Sequence, residues 1–212
     1  MKVYNFPQRS EEWYKIRRGV LTASDAATIA ANGKGLETLC LHKALELVAQ
    51  LDSESFINED IERGIELEHE ARSLYELKTG QVVKEIGFIK ESNLVGCSPD
   101  GLVGEDGLTE YKCRNQLNHF KRLLGYKIDR EHDLQMQMQL AITKRKWCDY
   151  VCYNRNFSKE DQLVIERVYP DDKKIKLIRE GLERGQNLIQ KYLDEYTERQ
   201  YNVRRKHSNK CR

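Results

Sequence analysis

The residues best able to do chemistry in this sequence are Ser98-Pro99-Asp100-Gly101 and, a short way on, Glu110-Tyr111-Lys112. Side chains alternate faces along a strand, so Glu110 and Lys112 point one way and Tyr111 the other. The Gly104-Glu105-Asp106-Gly107 turn folds the strand after Asp100 back against the one carrying Glu110. Two carboxylates and an ammonium then converge at one end of a hairpin. Such a group suits phosphodiester hydrolysis. Hard Mg²⁺ takes oxygen ligands, which Asp100, Glu110 and the main-chain carbonyl of Tyr111 are placed to supply. The ion polarises the phosphate and acidifies a water. Lys112 orients that water or stabilises charge developing on the phosphate. A plainer reading stands beside this one. Ser-Pro-Asp-Gly is a favourable type I turn, and Glu-x-Lys on a strand is often a solvated ion pair.

Glu68 lies on the helix that precedes these strands, where one inward carboxylate would complete the metal shell. Glu66, Glu68 and Glu70 also read as an acidic run on an exposed helix. His69 points to another face and is read as structural. Downstream, Gln135 lies on a helix, and its amide can donate to a phosphate or hold a nucleophilic water. Gln137 and Gln139 are read as an ordinary polar helix face.

The elements that must position these groups follow from spacing. Ser10 caps a short helix ending near Arg17, and Gly19 breaks it. A second helix starts at Thr22 to Ala27, with Ser24 at its entrance, and a third covers 36–51. A long helix is predicted over 60–78, closed by Thr79-Gly80. The period then changes to that of strands at 82–90, 94–97, 108–113, 148–153 and 163–169. Helices are expected at 116–124 and 130–145 between them. A final amphipathic helix spans 171–199, with Ile175, Ile178, Leu182, Ile189, Tyr192 and Tyr196 on one face, before a frayed basic tail at 200–212. The expected class is α/β (α+β), a mixed sheet flanked by helices. Residues 1–212 are read as one nuclease domain: N-terminal helices 9–51, a catalytic core at about 60–170, the final helix and the tail.

Net charge is +2, from 36 Lys and Arg against 34 Asp and Glu. This neither requires nor excludes nucleic acid, because a carboxylate cluster cancels a basic groove in the sum. The start has no apolar signal segment and no run reaches the length of a membrane span, so a cytoplasmic protein with reduced thiols is expected. Cys40, Cys97, Cys113, Cys148, Cys152 and Cys211 show no disulfide framework. The close pair Cys148 and Cys152 falls on a strand, which argues against an iron–sulfur cluster.

Five segments appear in one order: Trp13 to Ser24, Gly64 to Arg72, Cys97 to Leu102, Glu110 to Cys113, and Gln135-Met136-Gln137. In these the chain resembles the lambda-type exonucleases, also called YqaJ-like viral recombinases, of the PD-(D/E)xK superfamily. The resemblance spans about residues 9–145. It implies a restriction-endonuclease-like core in which Asp100, Glu110 and Lys112 are the catalytic hairpin and Glu68 the additional metal-site acid. It implies that Arg17, Ser24, Ser98 and Gln135 hold a terminal 5′-phosphate, and that Ile61 stands where an apolar wedge enters the duplex. An arginine fork and a helix N-terminus both suit an anion. The implied activity is digestion of the 5′-phosphorylated strand of duplex DNA ends, 5′→3′, leaving 3′ overhangs for strand annealing. The implied cofactor is Mg²⁺, two ions, with Mn²⁺ as a substitute. The implied partners are double-stranded DNA ends, two further copies in a ring-shaped homotrimer, and a single-strand annealing protein. The location is the host cytoplasm if the gene is phage-borne. Two other readings stay open: a non-catalytic DNA-end-binding scaffold using Arg17, residues 121–130 and the basic tail, and a structure-specific endonuclease on the same fold.

Overall fold

The computed structural model describes the backbone of residues 1–51, 59–113 and 115–210, with the side chains of 59–65 and 203–210 excepted. The proposed wedge, Ile61, has its side chain outside the described set.

In chain order the elements are β1 (Lys2–Tyr4), α1 (Glu11–Arg17), β2 (Leu21–Thr22), a 3₁₀ turn (Ala23–Asp25), α2 (Ala26–Ala31), α3 (Lys34–Ala49) and α4 (Glu59–Thr79). They continue with β3 (Val83–Lys84), β4 (Phe88–Lys90), β5 (Val95–Cys97), β6 (Gly101–Val103), β7 (Gly107–Cys113), α5 (Gln116–Leu123), α6 (Arg130–Thr143), β8 (Trp147–Tyr153), β9 (Leu163–Val168) and α7 (Asp172–Lys210). The mixed α/β architecture agrees with the sequence reading, and the strands divide between two sheets. One has the order β1-β4-β5-β2 and the other β3-β6-β7-β8-β9. The expected strand at 82–90 is therefore two strands, β3 and β4, in different sheets. The chain crosses between sheets at Ile86 and Gly87. A Cβ on Gly87 would lie 2.2 Å from the Phe6 carbonyl oxygen, so only glycine permits this approach.

The second sheet carries the hairpin. β6 and β7 are antiparallel, with Gly101 opposite Thr109 and Val103 opposite Gly107. β7 and β8 are parallel along their full length, from Gly107 with Trp147 to Cys113 with Tyr153. A parallel pair needs a crossover, and α5 with α6 provides it. Side chains alternate cleanly along both strands. Tyr111, Val151 and Tyr153 pack with Leu67, Ala71 and Tyr75 of α4. Leu108, Cys148, Tyr150 and Cys152 pack with Met136 and Leu140 of α6. Glu110 and Lys112 share the face of Leu108 and so look toward α6.

α6 is buried on nearly every side. Leu134, Met138 and Ile142 recur every turn and join a core with α2, α3, α7 and the first sheet. Met136 and Leu140 join the other core. The expected polar face is a correction: Gln137 is 1% and Gln139 0% exposed. Gln137 spans two groups, donating to the Tyr169 carbonyl at 2.9 Å and accepting from the Asp171 N–H at 2.8 Å.

The N-terminal segment follows its sequence signals. Ser10 Oγ accepts from the Trp13 N–H at 3.2 Å and caps α1. Gly19 has φ +70°, and a Cβ there would meet Leu47 Cγ at 2.3 Å. The helix stop and the packing of α3 both demand glycine. α7 runs on to Lys210 rather than ending near 199, since no Gly or Pro interrupts 200–210. Its buried face holds Ile178, Leu182 and Ile189, whereas Tyr196 is 46% exposed.

Candidate active site

Asp100 sits in the bend between β5 and β6, next to the β7 edge where β6 has ended. Its Oδ2 accepts from the Tyr111 N–H at 2.7 Å. In a strand the N–H and C=O of one residue face the same edge, so the Tyr111 carbonyl also turns toward Asp100. Glu110 is fully buried in side chain and backbone terms alike. Its Oε1 accepts from Lys112 Nζ and from Gln135 Nε2, each at 2.6 Å. Its Oε2 accepts from Gln139 Nε2 at 2.7 Å.

The electrostatics match this crowding. Burial, and then the Glu110 and Glu68 carboxylates, push Asp100 well above the ordinary carboxylate range, against Lys112 and the Tyr111 N–H. Burial opposes the Lys112 charge too, but Glu110 and Asp100 outweigh it and hold that ammonium above the ordinary lysine value. Lys112 is thus a fixed cation, and Asp100 is a carboxylate that gains from a cation beside it.

A second group of residues faces the same space from α1 and the 3₁₀ turn. The Arg17 guanidinium lies 4.0 Å from the Trp13 ring centroid and 5.8 Å from that of Phe88. Among the described residues no carboxylate stands within ion-pair distance of it, and its buried Nε has no hydrogen-bond partner. Burial lowers its pKa, with Asp25 and Glu46 opposing from further off. Among the described residues Arg17 is therefore a cation without an ion-pair partner. Ser24 Oγ pairs with Thr22 Oγ1 at 2.8 Å, and Thr22 Oγ1 donates to Asp25 at 2.9 Å. Ser98 Oγ donates to the Gly87 carbonyl at 2.8 Å and accepts from Trp13 Nε1 at 2.9 Å.

A cavity of about 250 Å³ brings these groups together, lined by Arg17, Ser24, Ser98, Asp100, Glu110, Lys112 and Gln135 together with Gln8, Arg9, Trp13 and Ala23. Seven residues singled out in the sequence share it. Glu68 lines an adjoining cavity of about 300 Å³ that shares Gln8, Arg9 and Asp100 with the first. Glu68 Oε2 stands 3.6 Å from the Arg9 guanidinium. Among the described residues, no three Asp, Glu, His or Cys side chains close a metal cage by themselves. The donors that do meet, Asp100, Glu110 and the Tyr111 carbonyl, are hard oxygens of the kind Mg²⁺ takes with retained waters. The site fits such an ion at these donors, with Glu68 one cavity away.

Sequence reasoning read Gln139 as an ordinary polar face, placed Trp13 only within the first matching segment, and did not single out Gln8 or Arg9. Gln139 had a signal: it lies one turn from Gln135 on a stretch, 134–143, that has no charged residue. Gln8 donates to the Ile86 and Pro99 carbonyls, both at 2.9 Å, and so ties the N-terminal loop to both sides of the bend.

Comparison with known proteins places the family. A family model, the YqaJ-like viral recombinase domain, matches residues 12–146. The chain belongs to that family. The family is also that of the lambda-type exonucleases, as the five sequence segments indicated. Among solved structures, an alkaline exonuclease (LHK-Exo) from Laribacter hongkongensis matches with TM-score 0.84 and 31% identity, over 92% of this chain and 100% of that one. LHK-Exo in complex with dAMP matches with TM-score 0.83 and 31% identity over the same shares, 92% and 100%. A phage-related exonuclease from Haemophilus somnus 129PT, 14% identical, shares the fold with TM-score 0.63 over 84% of this chain and 96% of that one. No curated protein matches.

Proposed function

We propose that this chain is a Mg²⁺-dependent deoxyribonuclease that removes nucleotides from the 5′-phosphorylated strand of a duplex DNA end, 5′→3′. The observation that carries this reading is the shared cavity. An arginine with no ion-pair partner among the described residues stands with two serines on one side, and two carboxylates with a lysine on the other, within about 250 Å³. A space of that size holds one nucleotide-sized group at the small end of ligand pockets. It suits a terminal phosphate bound at Arg17, Ser24, Ser98 and Gln135 while the next phosphodiester lies at the hairpin. That LHK-Exo is an alkaline exonuclease supports the reaction class. That protein's complex with dAMP supports it further, since a deoxynucleoside monophosphate is the unit product of stepwise DNA hydrolysis.

In this reading Asp100, Glu110 and the Tyr111 carbonyl would hold the metal in a PD-(D/E)xK arrangement, with Glu68, beside Arg9 in the adjoining cavity, as the additional acid. The ion supplies Lewis-acid polarisation of the phosphate and a more acidic water. The chain's own groups do the rest. Lys112, held charged by Glu110 and Asp100, neutralises the negative charge that grows on the phosphate oxygens. Arg17, prestacked on Trp13, receives the 5′-phosphate with little reordering. Gln135 sits between the halves, on Glu110 in this structure and within reach of the same cavity. Two Mg²⁺ ions, Mn²⁺ substitution, a homotrimeric ring around DNA, an annealing-protein partner and a cytoplasmic site of action in a phage-infected host are the accompanying proposals. Among the described residues no helix is long and apolar enough to cross a membrane.

The test is digestion of linear duplex DNA with separately labelled strands, carrying 5′-phosphate or 5′-hydroxyl ends, beside closed circular DNA, with Mg²⁺ or EDTA. Mg²⁺-dependent loss of the 5′ label from phosphorylated ends, with circles intact, is expected. Cut circles would replace the reading with an endonuclease, and binding to ends without cleavage would replace it with a scaffold.

A further inference from the structure

Gln139 is fully buried and donates from Nε2 to Glu110 Oε2 at 2.7 Å. Its own Oε1 is also buried and has no hydrogen-bond partner. An apolar side chain of the same length would fill the position without that unsatisfied acceptor, so packing does not account for a glutamine here. What does account for it is the division of labour on Glu110. Each carboxylate oxygen has two lone pairs. Oε1 accepts from Lys112 Nζ and Gln135 Nε2, both at 2.6 Å, and is filled. Oε2 accepts from Gln139 alone among the described residues, leaving one lone pair. Gln135 and Gln139 lie one turn apart on α6, so their amides grip the two oxygens from one rigid helix face.

We propose that Gln139 is a positioning residue that holds Glu110 so that Oε2 is the oxygen offered to the divalent cation. This rests on the metal-dependent reading of the site. Partners that orient a metal-ligating carboxylate typically change metal affinity about 10- to 100-fold when removed. Gln137, its buried neighbour, serves Tyr169 and Asp171 instead and makes the matched control.

The experiment is Mn²⁺ binding to the full chain without DNA, followed by the electron paramagnetic resonance of free Mn²⁺, alongside thermal unfolding. The proteins are the wild type, Glu110→Gln, Gln139→Met and Gln137→Met. Gln139→Met should weaken Mn²⁺ binding about 10- to 100-fold while the protein still unfolds cooperatively in EDTA, at a lower midpoint because Glu110 Oε2 loses its buried donor. Gln137→Met should leave Mn²⁺ affinity unchanged. The Mg²⁺ concentration for half-maximal nuclease activity should rise in Gln139→Met while kcat recovers at saturation. Wild-type affinity in Gln139→Met, with binding lost in Glu110→Gln, overturns the role of Gln139 and leaves the metal reading intact. Absence of wild-type Mn²⁺ binding, or full binding by Glu110→Gln, overturns both. Should Gln139→Met not fold, Gln139→Asn decides: it keeps the amide but withdraws it by one methylene, and wild-type affinity there is the overturning result.

Discussion

Arg17→Ala isolates the phosphate half of the cavity. In the structure the guanidinium is stacked 4.0 Å from the Trp13 ring centroid, with its buried Nε unpartnered. A 5′-phosphate would supply the missing anion through a bidentate contact. Hydrogen bonds to charged groups contribute about 1.5–3 kcal/mol each, so two at the lower figure give about 3 kcal/mol. At about 1.4 kcal/mol per tenfold, the 5′-phosphate over 5′-hydroxyl rate ratio should fall by about two orders of magnitude. Arg17→Lys keeps the charge but loses the fork and most of the stack, so about half of that loss, roughly tenfold, is expected. The assay is the ratio of initial rates on matched phosphorylated and hydroxyl ends. The fold should not suffer in parallel. Burial disfavours the Arg17 charge, and Arg17→Met keeps the apolar stem over Trp13. Its unfolding midpoint should therefore equal or exceed that of the wild type. An unchanged rate ratio in Arg17→Ala, or a collapse of stability in Arg17→Met, would refute the reasoning.

Lys112→Ala should abolish cleavage while duplex binding in Ca²⁺ survives; robust cleavage by this variant removes Lys112 from the chemistry. Trp13→Phe keeps a ring beneath Arg17 but loses the donor to Ser98 Oγ at 2.9 Å and to the Gly87 carbonyl at 3.1 Å. It should cost about 0.5–1.5 kcal/mol in kcat on phosphorylated ends and spare the end preference, read by the same rate assay. Asp149 accepts from Tyr75 Oη at 2.8 Å and from Arg167 Nε and NH2 at 2.8 and 2.9 Å. Asp149→Ala strands the buried Tyr75 hydroxyl and should lower stability by about 1–3 kcal/mol in urea unfolding; no change would discount this network. Asp100 has a pKa raised by burial, Glu110 and Glu68, so the folded state holds that proton more tightly than the unfolded chain. Stability in EDTA should then fall as pH rises from the ordinary carboxylate range through the raised value. A divalent ion competes with the same proton, so apparent Mg²⁺ affinity should climb over that window and then level. A flat Mg²⁺ affinity across it would contradict the shift.

The hairpin was legible because two local signals coincide there. Ser98-Pro99-Asp100-Gly101 marks a bend, and the 107–113 segment alternates with period two. Helices with a cap or a terminal glycine, such as α1 and α4, were legible for the same kind of reason. The division of 82–90 between two sheets was not. Ile86, Phe88 and Ile89 are all buried, so the run reads as one continuous apolar strand, and only the backbone approach to Phe6 at Gly87 reveals the crossing. β1 and β2 are too short for periodicity to register. The burial of Gln137 was hidden for a physical reason. Gln137 alternates with Met136 and Met138, and the Tyr169 carbonyl and Asp171 N–H that it serves lie far along the chain, whereas the uncharged stretch 134–143 was a signal for Gln139.

The two halves of the site come from different parts of the fold. Arg17, Ser24 and Trp13 belong to the segment that enters the first sheet at β2, whereas Glu110 and Lys112 belong to the second sheet. What joins them are the two crossings between the sheets, at 86–87 and at 98–100. Gln8 grips the Ile86 and Pro99 carbonyls there, and Trp13 grips Gly87 and Ser98. These contacts, three of them to main-chain carbonyls, fix the two halves of the cavity relative to each other. This also explains why a net charge of +2 carries so little information. Arg17 and Lys112 share one small cavity with Asp100 and Glu110, where their local fields matter and their sum does not.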